Sequence, residues 1–93
     1  MVTAIVLINV EHGHFDRIAE RLVTLKGITE VYSVAGQFDL VAVLRTPTNE
    51  GIADLVTRQI LDIEGITHTQ TLMAFKVYSS FDLERMFAIG DAD

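Results

Sequence analysis

With 93 residues, 49% of them hydrophobic and none of them cysteine, the chain has room for one domain and excludes disulfide, zinc–thiolate and thiol-catalytic chemistry. Its 13 acids against 7 bases leave a net charge of −6, and lysine occurs only at positions 26 and 76, so no basic face is available to neutralise nucleic-acid phosphates. No basic leader precedes the first apolar run and none approaches ~18 residues, which predicts a cytoplasmic protein with neither signal peptide nor membrane span.

In chain order, Ala4–Ile8 is apolar at every position, the pattern of a strand covered on both faces. His12, Gly13 and His14 read as a loop. Phe15, Ile18, Ala19, Leu22, Val23 and Leu25 then recur at steps of three and four, with Asp16, Arg17, Glu20, Arg21 and Thr24 on the opposite side, which predicts an amphipathic helix. Gly27 stands where a left-handed cap needs a residue without a Cβ. Val31–Ala35 mixes polar and apolar residues, as strands near a sheet edge do. Gly36–Asp39 is a turn, and Leu40–Leu44 is a second unbroken apolar run. Thr46-Pro47-Thr48 offers a helix cap with proline in the first turn. Ile52, Ala53, Val56, Ile60 and Ile63 form the second helical stripe, with Asp54 and Arg58 on its wet side, and Gly65 ends it. Thr69–Phe75 reads as a last, mixed strand.

The segment Leu25-Lys26-Gly27-Ile28-Thr29 returns as Ile63-Glu64-Gly65-Ile66-Thr67, an interval of 38 residues. A duplicated strand–helix–strand unit follows. The expected fold is α+β: a ferredoxin-like βαββαβ sandwich, with two helices on one face of a four-stranded antiparallel sheet whose first and third strands are central. Two helices cover only one face, yet the central strands are apolar on both. An uncovered patch of that size is a liability, so a homodimer packed sheet against sheet, as an α/β barrel, is expected.

The candidates for chemistry are few. His12 and His14, with Glu11 and His68, are too few and too scattered to support a metal site over an ordinary loop. Asp39, in Gly36-Gln37-Phe38-Asp39, fits best a hairpin whose turn amides it satisfies; the alternative is a small-molecule site in which backbone N–H groups meet a carboxylate and Asp39 meets an ammonium. Thr69 and Thr71 lie two apart, so both hydroxyls point to one sheet face. They fit plain strand propensity or contacts to a zwitterion. The domain is placed at residues 1–80 and a tail at 81–93. In the tail, Phe81, Met86 and Phe87 suggest a short docking helix before a disordered end, and Asp82, Glu84, Asp91 and Asp93 against Arg85 supply −3 of the −6.

The Gly27-Ile28-Thr29 strand entry, the Gly36-Gln37-Phe38-Asp39-Leu40 turn, and Gly65-Ile66 followed by Thr69-Gln70-Thr71 and Lys76 together resemble the effector-binding (RAM) domain of the Lrp/AsnC transcriptional regulators, from about Val2 to Tyr78. The resemblance implies a βαββαβ dimer assembling into rings, with amino acids bound between subunits. It places Gly36, Gln37, Phe38 and Asp39 in one wall of the effector pocket and Thr69 and Thr71 in another. Typical members begin with a helix-turn-helix domain, so the chain resembles the stand-alone version, for which direct DNA binding does not carry over. The implied function is a non-enzymatic, cofactor-free amino-acid-binding and oligomerisation module, its partners being itself, a small amino acid and a full-length regulator. Two alternatives stay open: a small dimeric α/β-barrel enzyme such as a monooxygenase using His12, His14 or His68, and an assembly partner without a ligand of its own.

Overall fold

A computed structural model describes residues 1–78 and 80, so the expected tail helix and the disordered end lie outside the described residues. The elements follow the order β1 (Val2–Val10), α1 (Phe15–Val23), β2 (Ile28–Ser33), β3 (Leu40–Thr46), α2 (Asn49–Asp54) and β4 (Ile66–Ala74). They build one antiparallel sheet in the order β2-β3-β1-β4, the ferredoxin-like βαββαβ sandwich with β1 and β3 central.

Alternation along the central strands creates the core. Ala4, Val6 and Ile8 of β1 and Leu40, Ala42 and Leu44 of β3 are buried under Ile18 and Leu22 of α1 and Ile52, Leu55 and Ile60 of the second crossover. Each large side chain taken out of water there contributes about 1.5–3 kcal/mol. The opposite parity faces away from the helices. By register it comprises Thr3, Ile5, Leu7 and Asn9 of β1, Val41, Val43 and Arg45 of β3, Glu30 and Tyr32 of β2, and His68, Gln70, Leu72 and Ala74 of β4. Its centre is apolar and its rim polar.

The second crossover departs from the expected stripe. Leu55 is buried and Ala53 exposed, because Leu55 shares the face of Ile52 at the ordinary i,i+3 spacing; α2 then runs on into a π-helical turn, Leu55–Gln59, in which the Ile60 N–H donates to the Leu55 carbonyl at 2.8 Å. The buried positions are therefore 52, 55, 60 and 63, and the one wide step between 55 and 60 brings Ile60 and Ile63 back over the sheet. Val23 also belongs outside the core, at 53% exposure, since it sits at the end of α1. Proline 47 precedes the cap instead of occupying the first turn: Thr48 is the N-cap, its hydroxyl accepting from the Gly51 N–H at 3.1 Å. At the start of α1, His14 caps with no side-chain bond.

Gly27 and Gly65 have φ of +103° and +102°, but each lies beyond its helix end, in the turn that delivers the chain to β2 or β4, and neither is the cap residue. β2 accordingly starts at Ile28, earlier than the mixed-polarity run suggested, and β4 starts at Ile66 and ends at Ala74. Beyond it Phe75, Val77 and Tyr78 are 99%, 86% and 83% exposed. This arm and the helix-free residues Thr3, Ile5, Val43 and Arg45 border a groove of about 530 Å³.

On the rim, the Tyr32 hydroxyl donates to Glu30 Oε2 at 2.6 Å, and Arg45 Nη1 stands 3.9 Å from Glu30 Oε1. The hydrogen bond to Glu30, and then that carboxylate's charge, raise the Tyr32 pKa above its ordinary 10.0, with Arg45 opposing. A raised folded-state value means a stabilising contribution that is full below pH 10.0 and is lost as pH climbs through the raised pKa. In a Tyr78→Phe background, phenolate absorbance is expected to titrate late for Tyr32, and Glu30→Gln should return it to the usual phenol range.

Candidate ligand site

The connection from β2 to β3 turns at Gly36, whose φ of +127° only glycine adopts without strain. The Val34 N–H donates to the Asp39 carbonyl at 3.0 Å and closes the hairpin. The register of β3 with β1 ends at Leu40 opposite Ile8, leaving Asn9 and Val10 beyond the ladder. Asp39 holds this strand end, its backbone on Ile8 and its side chain on Asn9 and Val10. Its N–H donates to the Ile8 carbonyl at 2.9 Å, while Oδ2 accepts from the Val10 N–H at 2.9 Å and lies 3.5 Å from Asn9 Nδ2. On the other side of β1 the pairing with β4 slips at the same place, Asn9 facing His68 and Val10 facing Ile66, so Thr67 is the extra residue.

The remaining turn residues are held too. Asn9 Nδ2 donates to the Gln37 carbonyl at 2.9 Å, and the Phe38 ring stacks on His68, with centroids 6.4 Å apart and planes within 18°. The turn thus leans across the end of β1 to reach β4. By contrast, the N–H groups of Gly36, Gln37 and Phe38 make no hydrogen bond among the described residues. Three consecutive N–H donors thus stand without a partner beside an anchored carboxylate, in a turn whose Gly36 and Gln37 are exposed. Asp39 also lines a pocket of about 250 Å³ with Val10, Glu11, His12, Gly13 and Phe15, the only residue of the turn to do so.

Of the residues singled out from sequence, Gly36, Gln37, Phe38 and Asp39 form this turn. Thr69 and Thr71 do share one face, but it is the helix-covered one: they lie opposite Ile8 and Val6 and are half-buried. Thr69 is two strand spacings, about 10 Å, from β3. Within one chain the threonine pair and the turn do not meet in a single pocket. His12 and His14 belong to the loop after β1, with His14 Nε2 4.0 Å from Glu11 Oε2, and no three metal-ligating groups converge among the described residues. Sequence reasoning passed over Asn9 as a contributor and weighed His68 only as a ligand or catalyst. The signal was there, because strict alternation places Asn9 on the face shared with Ile5 and Leu7, where a buried-strand pattern leaves an amide unexplained.

A larger depression, about 640 Å³, lies at the end of α2 beside Asp54, Thr57, Arg58, Gln59, Leu61 and Asp62. Three of its polar groups satisfy one another, Gln59 Nε2 donating to Asp54 Oδ2 at 2.6 Å and Arg58 pairing with Asp54 at 3.4 Å.

Residues 3–82 match the family model of the Lrp/AsnC ligand binding domain. The chain belongs to the Lrp/AsnC family. Among its relatives, the HTH-type transcriptional regulator FL11 of Pyrococcus furiosus is 32% identical over 77 residues, covering 83% of this chain and 50% of FL11. The chain thus spans about half the length of that regulator. Among solved structures, TTHA0845 from Thermus thermophilus superposes with a TM-score of 0.80 at 42% identity, covering 85% of this chain and 99% of its own. The feast or famine regulatory protein from M. tuberculosis, in complex with L-methionine, superposes with a TM-score of 0.73 at 22% identity, over 88% of this Lrp/AsnC domain and 55% of that chain. At that identity the likeness concerns the fold. Among the described residues no helix of this Lrp/AsnC domain is long and apolar enough to cross a membrane.

Proposed function

We propose that this chain binds a small amino acid at the Gly36–Asp39 turn and self-associates through the helix-free face of its sheet, acting as a sensor and not as an enzyme. The observation that carries this reading is the row of three N–H groups at Gly36, Gln37 and Phe38, without a partner among the described residues, next to a carboxylate fixed by β1. The ligand carboxylate takes the amides. Its ammonium takes Asp39 Oδ1, since Oδ2 already serves Val10 and Asn9. Thr69 and Thr71, on another part of the surface, reach such a ligand only from a neighbouring subunit, consistent with a pocket built between chains. The L-methionine held by the mycobacterial relative is support by analogy. With a net charge of −6 and no basic cluster, an influence on transcription runs through a full-length regulator as partner, and not through direct contact with DNA.

Thermal-shift screening against the twenty amino acids tests this. A ligand at a hundredfold excess over its dissociation constant stabilises by about 2.7 kcal/mol, a rise of roughly 10–20 °C in a domain of this size. At least one amino acid is expected to give such a shift in the wild type. In Asp39→Asn, which keeps an acceptor for the Val10 N–H but loses the charge, the shift should vanish while the ligand-free melt stays close to wild type. No shift with any amino acid in the wild type ends the proposal.

A further inference from the structure

We propose that Asn9 and His68 are positioning residues that tie the Gly36–Asp39 turn to the helix-free face, so that the turn's conformation and self-association through that face are linked. The inference rests on the reading of turn and face given above, and it names how one regulates the other.

The geometry is a chain of single contacts. Asn9 and His68 are register partners on adjacent strands, and both have the parity of Ile5, Leu7, Gln70 and Leu72, the helix-free side. From there Asn9 holds the Gln37 carbonyl at 2.9 Å and His68 holds the Phe38 ring at 6.4 Å. Each is therefore a member of both surfaces at once. The backbone of Asp39 is fixed independently by Ile8 and Val34, so the hairpin does not need Asn9 or His68 to close. What they fix is the lean of Gln37 and Phe38 across the end of β1, and with it the direction of the open N–H groups. The bond from Asn9 to Gln37 is solvent-exposed and the stack is a single ring pair, contacts weak enough for an incoming ligand or subunit to remake. Two arrangements of the turn then present two versions of the His68 end of the sheet. A second copy that prefers one of them biases the turn, and by reciprocity a ligand at the turn biases pairing.

The test needs no ligand, so it succeeds or fails separately from the amino-acid screen. The dimer dissociation constant is measured by sedimentation of fluorescently labelled full chain for wild type, Phe38→Ala, His68→Ala, the double variant and His68→Tyr. Phe38→Ala removes the turn's end of the link and leaves the strands untouched. It is expected to raise the dissociation constant about tenfold, as His68→Ala does, with the double variant no worse than either single. His68→Tyr, which keeps a ring for the stack, should lie within about threefold of wild type. Amide exchange at Gln37 and Phe38 should quicken about tenfold in Asn9→Ala, with the Ile18 and Leu22 amides unchanged as evidence of an intact fold. If Phe38→Ala pairs like wild type while His68→Ala does not, His68 is only an interface contact and the linkage is wrong. Additive effects, or turn amides indifferent to Asn9→Ala, overturn it equally.

Discussion

Leu7→Asp is expected to turn the proposed sheet-to-sheet dimer into single chains. Leu7 lies mid-strand on the helix-free side of β1, flanked in register by Val41 of β3 and Gln70 of β4 and two positions from Ile5. Around it Ile5, Val41 and Val43 are only half-buried by their own chain, and Leu72 is exposed. A second sheet packed there removes this surface from water, and a carboxylate at its centre is then stranded without a partner. A buried, uncompensated charge costs about 3–5 kcal/mol, and a two-fold interface meets it twice. A single site alone corresponds to a dissociation constant raised by at least about a hundredfold. The folded chain itself has less objection, because in the monomer Leu7 is only half-buried and the core lies on the other side. Sedimentation should therefore report monomer while circular dichroism stays native. A wild-type monomer at low micromolar concentration, or a Leu7→Asp dimer as tight as wild type, contradicts the sheet-to-sheet arrangement.

The second large effect concerns stability. Gly65→Ala is expected to destabilise by about 2–4 kcal/mol, the sum of ~1–2 for a side chain at positive φ and ~1–2 for overpacking. A Cβ at Gly65 falls 2.8 Å from Ile18 Cδ1, and at Gly27 it falls 2.8 Å from Leu55 Cδ1 and 3.2 Å from Thr46 Cγ2. Both methyl groups end side chains that are fully enclosed, so neither swings aside cheaply. Gly13 is the control: its φ of +87° is also positive, yet a Cβ there meets nothing within 4 Å. Gly13→Ala should cost only the backbone share. In a domain of this size the difference between the two variants amounts to roughly 5–15 °C in melting temperature. Equal melting temperatures would mean that the turn relaxes and that close packing at Gly65 is not what demands glycine.

These two glycines were also the most legible feature of the chain, because a strand–helix–strand unit repeated with the same ending leaves little freedom in topology. The central place of β1 and β3 could be read for a similar reason: an unbroken apolar run belongs to a strand with neighbours on both sides and cover on both faces, and mixed runs lie nearer an edge. What escaped was everything that depends on one residue more or less. Leu55, three residues after Ile52, takes the place expected for Ala53, and the π-helical turn that follows adds a five-residue step to Ile60 that no periodicity argument anticipates. The face occupied by Thr69 and Thr71 depends on the slip at Thr67, which a polar edge strand does not advertise. The turn itself was visible through Gly36 and Asp39. Its tethers were not, since a single asparagine at a strand end and a single histidine two strands away look ordinary until the register joins them.

The duplication has one more consequence. Residues 34–39 end the first strand–helix–strand copy and begin the second, so the stretch carrying the open N–H groups is also the seam of the ancient tandem. Across this seam the copies interlock, with β1 of one hydrogen-bonded to β3 and β4 of the other. A guest molecule seated at such a junction touches the sole covalent bridge between two interleaved halves, and a small tilt there is felt by both together.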